Sequence, residues 1–102
     1  MSNTTGDYNV ANGTQALYGC ISGSYNIALG NAALYNNISG NGNIAIGSNA
    51  YHESPSTNND DFKIAIGYAS LYSGGGSTGT IAIGRNALYN FTFSDTLFLT
   101  TE

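Results

Sequence analysis

Most of the residues whose side chains could bind a metal or act in catalysis lie in one segment, residues 52–61. This segment contains the only histidine, the only proline and three of the six acidic residues. Oxygen-rich loops can hold Ca²⁺, but these residues follow neither the EF-hand spacing nor an acidic glycine-rich repeat. His52 without an ordered base partner is a poor general base. We interpret the segment as a solvated loop without a metal, and as the first place to look for a receptor contact.

Two further chemical signals have simple structural explanations. The run Gly74-Gly75-Gly76 lacks the lysine and the following helix of a phosphate-binding loop, so we expect a flexible turn. Cys20 is the only cysteine, which excludes a disulfide within these 102 residues. We expect it to be a small, partly buried apolar residue, with an intermolecular disulfide as the alternative. No cofactor is predicted.

A column of aromatic residues is the third candidate site. Two interpretations are open for it. One is structural, either a ladder of stacked rings that stabilises the solenoid or the flank of a subunit contact, and the other is an adhesive stripe that binds sugar or protein. Tyrosine suits a contact surface because it is large, rigid and half polar. The candidate partner-binding residues are Tyr18, Tyr35, His52, Tyr72 and Tyr89.

These rings belong to an internal repeat, x-[IV]-A-[IL]-G-x-x-A-L-Y, which is followed by a polar stretch. Its closing glycines are 17, 17, 20 and 17 residues apart and predict a turn in each copy: Gly13, Gly30, Gly47, Gly67 and Gly84. One copy buries too little surface to be stable, whereas stacked copies bury a continuous core. The abundance of Gly, Asn and β-branched residues argues against helices. The sequence therefore predicts an all-β parallel β-roll, or solenoid, of about five 17-residue coils over residues 1–90.

Each copy contains a short strand in which large apolar residues alternate with alanine. A period of two places both large residues on one face and the alanine on the other. We predict that the larger residues fill the interior. The predicted core columns are Ile27, Ile44, Ile64 and Ile81; Leu29, Ile46, Ile66 and Ile83; and Leu17, Leu34, Leu71 and Leu88.

The alanine between the large residues is present in all five copies, which indicates close packing. We predict that this column faces away from the coil and packs against a symmetry mate in a closed cyclic homo-oligomer. A charged fraction of only 8% fits a surface that is largely interface. The predicted subunit-interface residues are Ala11, Ala28, Ala45, Ala65 and Ala82.

Charge and hydropathy exclude several partners. The net charge is −4, and Lys63 and Arg85 are the only basic residues apart from the histidine. Nucleic acids require clustered Lys and Arg, and anionic membrane surfaces attract the same residues. No apolar run approaches the roughly 20 residues that span a bilayer, so membrane insertion is not expected. Residues 1–5 lack the basic and apolar regions of a secretory signal peptide.

The phrases Ile44-Ala45-Ile46-Gly47 and Ile64-Ala65-Ile66-Gly67 resemble the YadA-like head repeats of trimeric autotransporter adhesins. The longer form, with the second alanine, leucine and tyrosine, is similar to repeats of phage tail-fibre proteins. The resemblance covers roughly residues 8–90. It implies a left-handed parallel β-roll, three chains around one axis, no cofactor and no catalysis. It also implies an extracellular place, on a cell surface or a virion.

The sequence offers three candidate functions. The first is a structural and adhesive module of a trimeric surface or viral fibre, whose partner is a host-surface glycan or protein. The second is a self-assembling subunit of a homopolymeric filament, in which copies stack end to end through unprotected strand edges. The third, an acyltransferase of the left-handed β-helix type, requires a hexapeptide repeat that is absent here. Residues 91–102 leave the repeat, and we expect a capping strand or a junction to the next module.

Overall fold

The computed structural model describes residues 6–52, 61–73, 79–89 and 97–99. Its strands are three residues long: β1 (Val10–Asn12), β2 (Ile27–Leu29), β3 (Ile44–Ile46), β4 (Ile64–Ile66), β5 (Ile81–Ile83) and β6 (Leu97–Leu99). They form one parallel sheet in chain order. After each strand the chain therefore makes one coil and returns to the same sheet, beside the strand that it left. The chain is an all-β solenoid, and this part of the sequence-based prediction is confirmed.

The sheet keeps like residues in register from coil to coil. Ala28 pairs with Ala45, and Ala45 pairs with Ala65 although 20 residues separate the latter two. The longer third copy therefore does not shift the register of the strands. A second segment of each coil also stacks through backbone hydrogen bonds, as when the Leu34 N–H donates to the Ala50 carbonyl at 3.0 Å.

The strand alanines, and not the large residues beside them, line the interior of the coil. Ala28, Ala45, Ala65 and Ala82 are all 0% exposed and pack with Leu17, Leu34, Leu71 and Tyr51 in one core cluster. A second set of small side chains, Ala16, Ala33, Ala50 and Ala87, belongs to the same cluster. The strand alanines share this cluster with the leucines of the second segment, and all of these side chains are fully buried. We infer that a close-packed interior leaves room only for a small residue here, which explains the invariant alanine.

Two predictions about the strands are therefore wrong. The isoleucine and leucine columns do not fill the core: Ile27, Leu29, Ile44, Ile64, Ile66 and Ile81 are half-buried, and Ile46 and Ile83 are exposed. The alanines cannot form a subunit interface, because one chain alone covers four of the five completely, while Ala11 in the first coil is half-buried. The leucine column lies inside, with Leu17, Leu34 and Leu71 fully buried and Leu88 half-buried.

Left-handed residues form the corners of the coils. Leu34, for example, has φ 51° and is fully buried. Positive φ costs a non-glycine residue about 1–2 kcal/mol. Burying a leucine side chain gains about 1.5–3 kcal/mol. The core thus stabilises a corner that the leucine backbone alone would not adopt.

The C-terminal segment contributes the last strand. β6 pairs with β5 in parallel, so that Ala82 lies opposite Phe98. Residues 97–99 therefore extend the sheet by one level, an arrangement that fits either a cap or a junction. Three predicted features lie outside the described residues: most of the 52–61 loop (residues 53–60), the glycine run at 74–76 and the start of the tail at residues 91–96.

Candidate functional site

The outer side of the sheet carries a continuous apolar surface, which we call the apolar sheet face. Val10, Ile46 and Ile83 are 52%, 36% and 37% exposed, and the other members are half-buried. Its residues are Val10, Ile27, Leu29, Ile44, Ile46, Ile64, Ile66, Ile81 and Ile83. Soluble monomers rarely expose contiguous apolar patches of this kind, and such patches commonly mark contact sites. The alternation of large residues with alanine produces this face once the alanines are placed inside.

The predicted column of rings is one stacked ladder. The ring centroids of neighbours are 5.1, 4.8, 4.9 and 4.8 Å apart along Tyr18, Tyr35, His52, Tyr72 and Tyr89. The planes of successive rings differ by 2° to 7°. The structure thus brings all five candidate partner-binding residues together. We call this column the ring ladder.

Stacking limits what the ring ladder can bind. Each inner ring has both faces covered by its neighbours, so that edges and polar tips remain for contact. Tyr18 and Tyr89, at the two ends, are 48% and 42% exposed. Sugar rings and aromatic ligands bind aromatic side chains mainly through the ring face. The geometry therefore suits the ladder to cohesion between coils more than to ligand stacking.

A second set of aromatic residues was missed by the sequence analysis. Tyr8, Tyr25 and Phe62 are 75%, 64% and 62% exposed, and the rings of Tyr8 and Tyr25 stack at 5.0 Å. Each stands two residues before the first large residue of a strand, at a corner with φ near 60°. We call these residues the corner aromatics. The recurring phrase aromatic-polar-[IV]-A could have indicated them, but glycine replaces the ring in the third and fifth coils, at Gly42 and Gly79.

Two ladders of polar side chains run beside the corner aromatics. In the buried one, Oδ1 of Asn26 accepts from the Asn43 N–H and Oδ1 of Asn43 accepts from the Lys63 N–H, both at 2.8 Å. In the outer one, Oδ1 of Asn41 accepts from the Ser24 N–H at 2.8 Å, and Oδ1 of Asp61 accepts from the Asn41 N–H at 2.7 Å. Repeated asparagine thus has a structural role, because it satisfies backbone groups between coils.

The remaining candidate residues do not converge on a reactive centre. His52 lies in the ring ladder, between Tyr35 and Tyr72. Cys20 is buried, its Sγ–H donates to the Gly23 carbonyl at 3.6 Å, and desolvation by burial raises the pKa of its thiol. Within residues 6–52, 61–73, 79–89 and 97–99, no three His, Cys, Asp or Glu side chains are grouped so as to hold a metal ion. The same residues include no helix long and apolar enough to cross a membrane.

Comparison with known proteins identifies no relative of this chain. No protein-family model matches the chain, and searches of curated proteins and of solved structures find no significant match.

Proposed function

We propose that this chain is a non-enzymatic structural and adhesive module of a homotrimeric fibre on a cell surface or a virion. The observation that carries the proposal is the apolar sheet face. An apolar surface that runs over five strands of a narrow solenoid is costly to leave in water, at about 25 cal/mol per Å². Covering it with a second and a third copy of the same face removes that cost.

A closed ring of copies fits this surface better than an open contact. In cyclic symmetry each copy presents the same levels to its neighbours, so the isoleucine columns of one copy run alongside those of the next. The resemblance to YadA-like head repeats suggests the number three and the left-handed coil. The sequence predicted the alanine column as the subunit interface, whereas the contact proposed here uses the isoleucine columns. The trimer itself is part of this proposal.

The absence of catalysis is part of the same proposal. His52 is the only histidine and the first candidate for a general base, and such a base must lie within hydrogen-bond reach of the proton that it removes. The imidazole instead packs between two tyrosine rings, at 4.8 and 4.9 Å from their centroids. This position favours a structural role for the residue.

The mass of the purified protein tests the proposal. We expect light scattering to give three times the chain mass for the wild type, and a folded monomer for Ile46→Glu, because a carboxylate would then enter the apolar sheet face on each copy. Asn31→Glu is the matched control, since Asn31 is exposed on a turn next to Gly30. It adds the same charge and should leave the trimer intact.

Two results would contradict the proposal. A wild-type chain that is folded and monomeric at micromolar concentration would exclude self-association through this face. An Ile46→Glu variant that keeps the trimer mass would exclude this face as the contact. Long filaments in electron micrographs of the wild type would instead favour the homopolymeric filament.

A further inference from the structure

We infer that the corner aromatics Tyr8, Tyr25 and Phe62 form a binding surface for an uncharged glycan. The inference rests on the adhesive part of the proposed function, for which it names the residues and the partner class. All three rings are more than 60% exposed, which is unusual for aromatic side chains in a chain with a well-filled core. Unlike the ring ladder, this column is interrupted at Gly42 and Gly79. Tyr8 and Tyr25 stack on each other, and the ring of Phe62 lies against Gly42, where an added methyl group would be 2.7 Å from Cδ1 of Phe62.

The backbone conformation at the corners does not itself favour an aromatic residue. Tyr8, Tyr25 and Phe62 have φ 60°, 61° and 57°, in the left-handed region. Glycine adopts that region freely, and it occupies the same corner in the third coil (Gly42, φ 68°) and the fifth (Gly79, φ 87°). An aromatic residue there costs about 1–2 kcal/mol relative to an unstrained backbone.

The buried left-handed leucines of this chain have a structural reason for their side chains. Leu17, Leu34 and Leu71 have φ between 49° and 52°, and their side chains fill the core. The corner aromatics are instead mostly exposed, and the contact of Phe62 with Gly42 lies at the surface corner and not in the core cluster. Strained positions that the fold does not need are candidates for function.

The surroundings of the rings indicate the class of partner. Asp7 and Asp61 directly precede Tyr8 and Phe62. Oδ1 of Asp61 already accepts from Asn41, but a carboxylate has further acceptor sites for hydroxyl groups. Lys63 is 1% exposed, and the guanidinium of Arg85 lies 6.0 Å from the ring centroid of Tyr68, on the turn that follows the strand. No described residue beside the corner aromatics supplies an accessible positive charge. A sugar with hydroxyl groups and no charge fits these side chains, whereas sulfated or sialylated glycans do not.

A second copy of the chain fits the corner less well than a glycan does. In a cyclic oligomer the same level of each copy would meet, so that Asp7 would face Asp7 and Asp61 would face Asp61. Burying carboxylates near one another without cations is unfavourable. The aromatic column is also absent at two of five levels, whereas the apolar sheet face is continuous. The corner is thus suited to remain outside the subunit contact.

The experiment uses the intact protein on an array of neutral, sialylated and sulfated oligosaccharides. The neutral oligosaccharide that is retained best is then titrated calorimetrically. Tyr25→Gly and Phe62→Gly are the test variants, because glycine is the natural residue at this corner and the variants should fold. Tyr68→Ser is the matched control, since Tyr68 is 52% exposed but lies away from the corner.

We expect the wild type to bind neutral oligosaccharides and each test variant to bind about tenfold or more weakly. Tyr68→Ser should bind as the wild type does. Retention of acidic glycans alone, retention of no glycan, or unchanged binding by both glycine variants would overturn the inference. Loss of the oligomer mass in Tyr25→Gly would overturn it too, since the corner would then be a subunit contact. A monomeric wild type that still binds would refute the trimer and leave this site standing.

Discussion

A methyl group on Gly47 would lie 2.7 Å from the carbonyl oxygen of Gly67 in the next coil. Gly47 stands in the same relationship to the coil before it, because a methyl group on Gly30 would lie 2.7 Å from the Gly47 carbonyl. These glycines also have φ near 126°. The coils can therefore approach to strand-pairing distance only because this column has no side chains.

The first prediction concerns Gly47→Ala. We expect it to lower the free energy of unfolding by roughly 2–6 kcal/mol, since backbone strain and overlap with Gly67 each contribute about 1–3 kcal/mol. Urea unfolding followed by circular dichroism measures the change. Ser48→Ala is the control, and it should stay within about 0.5 kcal/mol of the wild type. Equal stability of the two variants would show that the glycine column does not set the spacing.

The second prediction separates the inside of the strand from its outside. Ala45→Leu should destabilise the folded chain by about 1–3 kcal/mol or more, because the alanine is fully enclosed and the coil has no room for a larger side chain. Ile46→Leu, one residue further on, changes shape at an exposed position and should cost less than about 1.5 kcal/mol. Thermal unfolding of both variants compares the two losses of stability. A larger loss for Ile46→Leu than for Ala45→Leu would indicate that the alanines face the surface.

The sequence predicted the repeating unit, but it could not decide which face of each strand lies in the interior. The period, the parallel stack and the ring ladder all follow from residues of one type returning at a fixed spacing. The alternation in Ile44-Ala45-Ile46 shows that the two isoleucines share a face. The width of the coil decides whether that face or the alanine face is buried. That width depends on how the leucine segment crosses opposite the strand, which no local pattern records.

The corner aromatics were missed for a different reason. Tyr25 and Phe62 alternate with glycine from coil to coil, so the repeat consensus shows no preference there. Only the common left-handed conformation reveals that Gly42 and its aromatic counterparts occupy one column.

The third prediction concerns the buried asparagine ladder. Asn26 is fully buried, its Nδ2 donates to the Gly40 carbonyl at 2.8 Å, and its Oδ1 accepts from the Asn43 N–H. Asn26→Leu would leave the Asn43 N–H without its acceptor, at a cost of roughly 1–3 kcal/mol, whereas the Gly40 carbonyl would still accept from Nδ2 of Asn37 at 3.0 Å. Chemical denaturation measures it. Ser22→Leu, at an exposed position, is the control for added apolar volume and should change little.

The fourth prediction concerns the ring ladder. His52→Ala removes two stacked contacts and should destabilise the protein by about 1–3 kcal/mol, since each aromatic pair contributes about 0.5–1.5 kcal/mol. His52→Phe keeps a ring between Tyr35 and Tyr72 and should retain most of the stability. Differential scanning calorimetry compares the two variants. Equal losses would mean that the imidazole matters for something other than stacking.

The fifth prediction uses the pH dependence that Cys20 imposes. Burial raises the pKa of its thiol in the folded chain, so the unfolded chain loses this proton first as the pH rises. Stability contributed by the protonated thiol is fully present below the unfolded pKa, about 8.5, and is lost above it. Between pH 7 and 9.5 the wild type should therefore lose more stability than Cys20→Ala.

Urea unfolding of both proteins across this range measures the difference in slope, which a small cavity left by alanine does not affect. The same burial should make Cys20 react with iodoacetamide slowly in the folded protein and rapidly in urea. Parallel pH profiles together with fast labelling of the native chain would show that the thiol is accessible. In that case Cys20 would be available for the intermolecular disulfide that its solitary position leaves open.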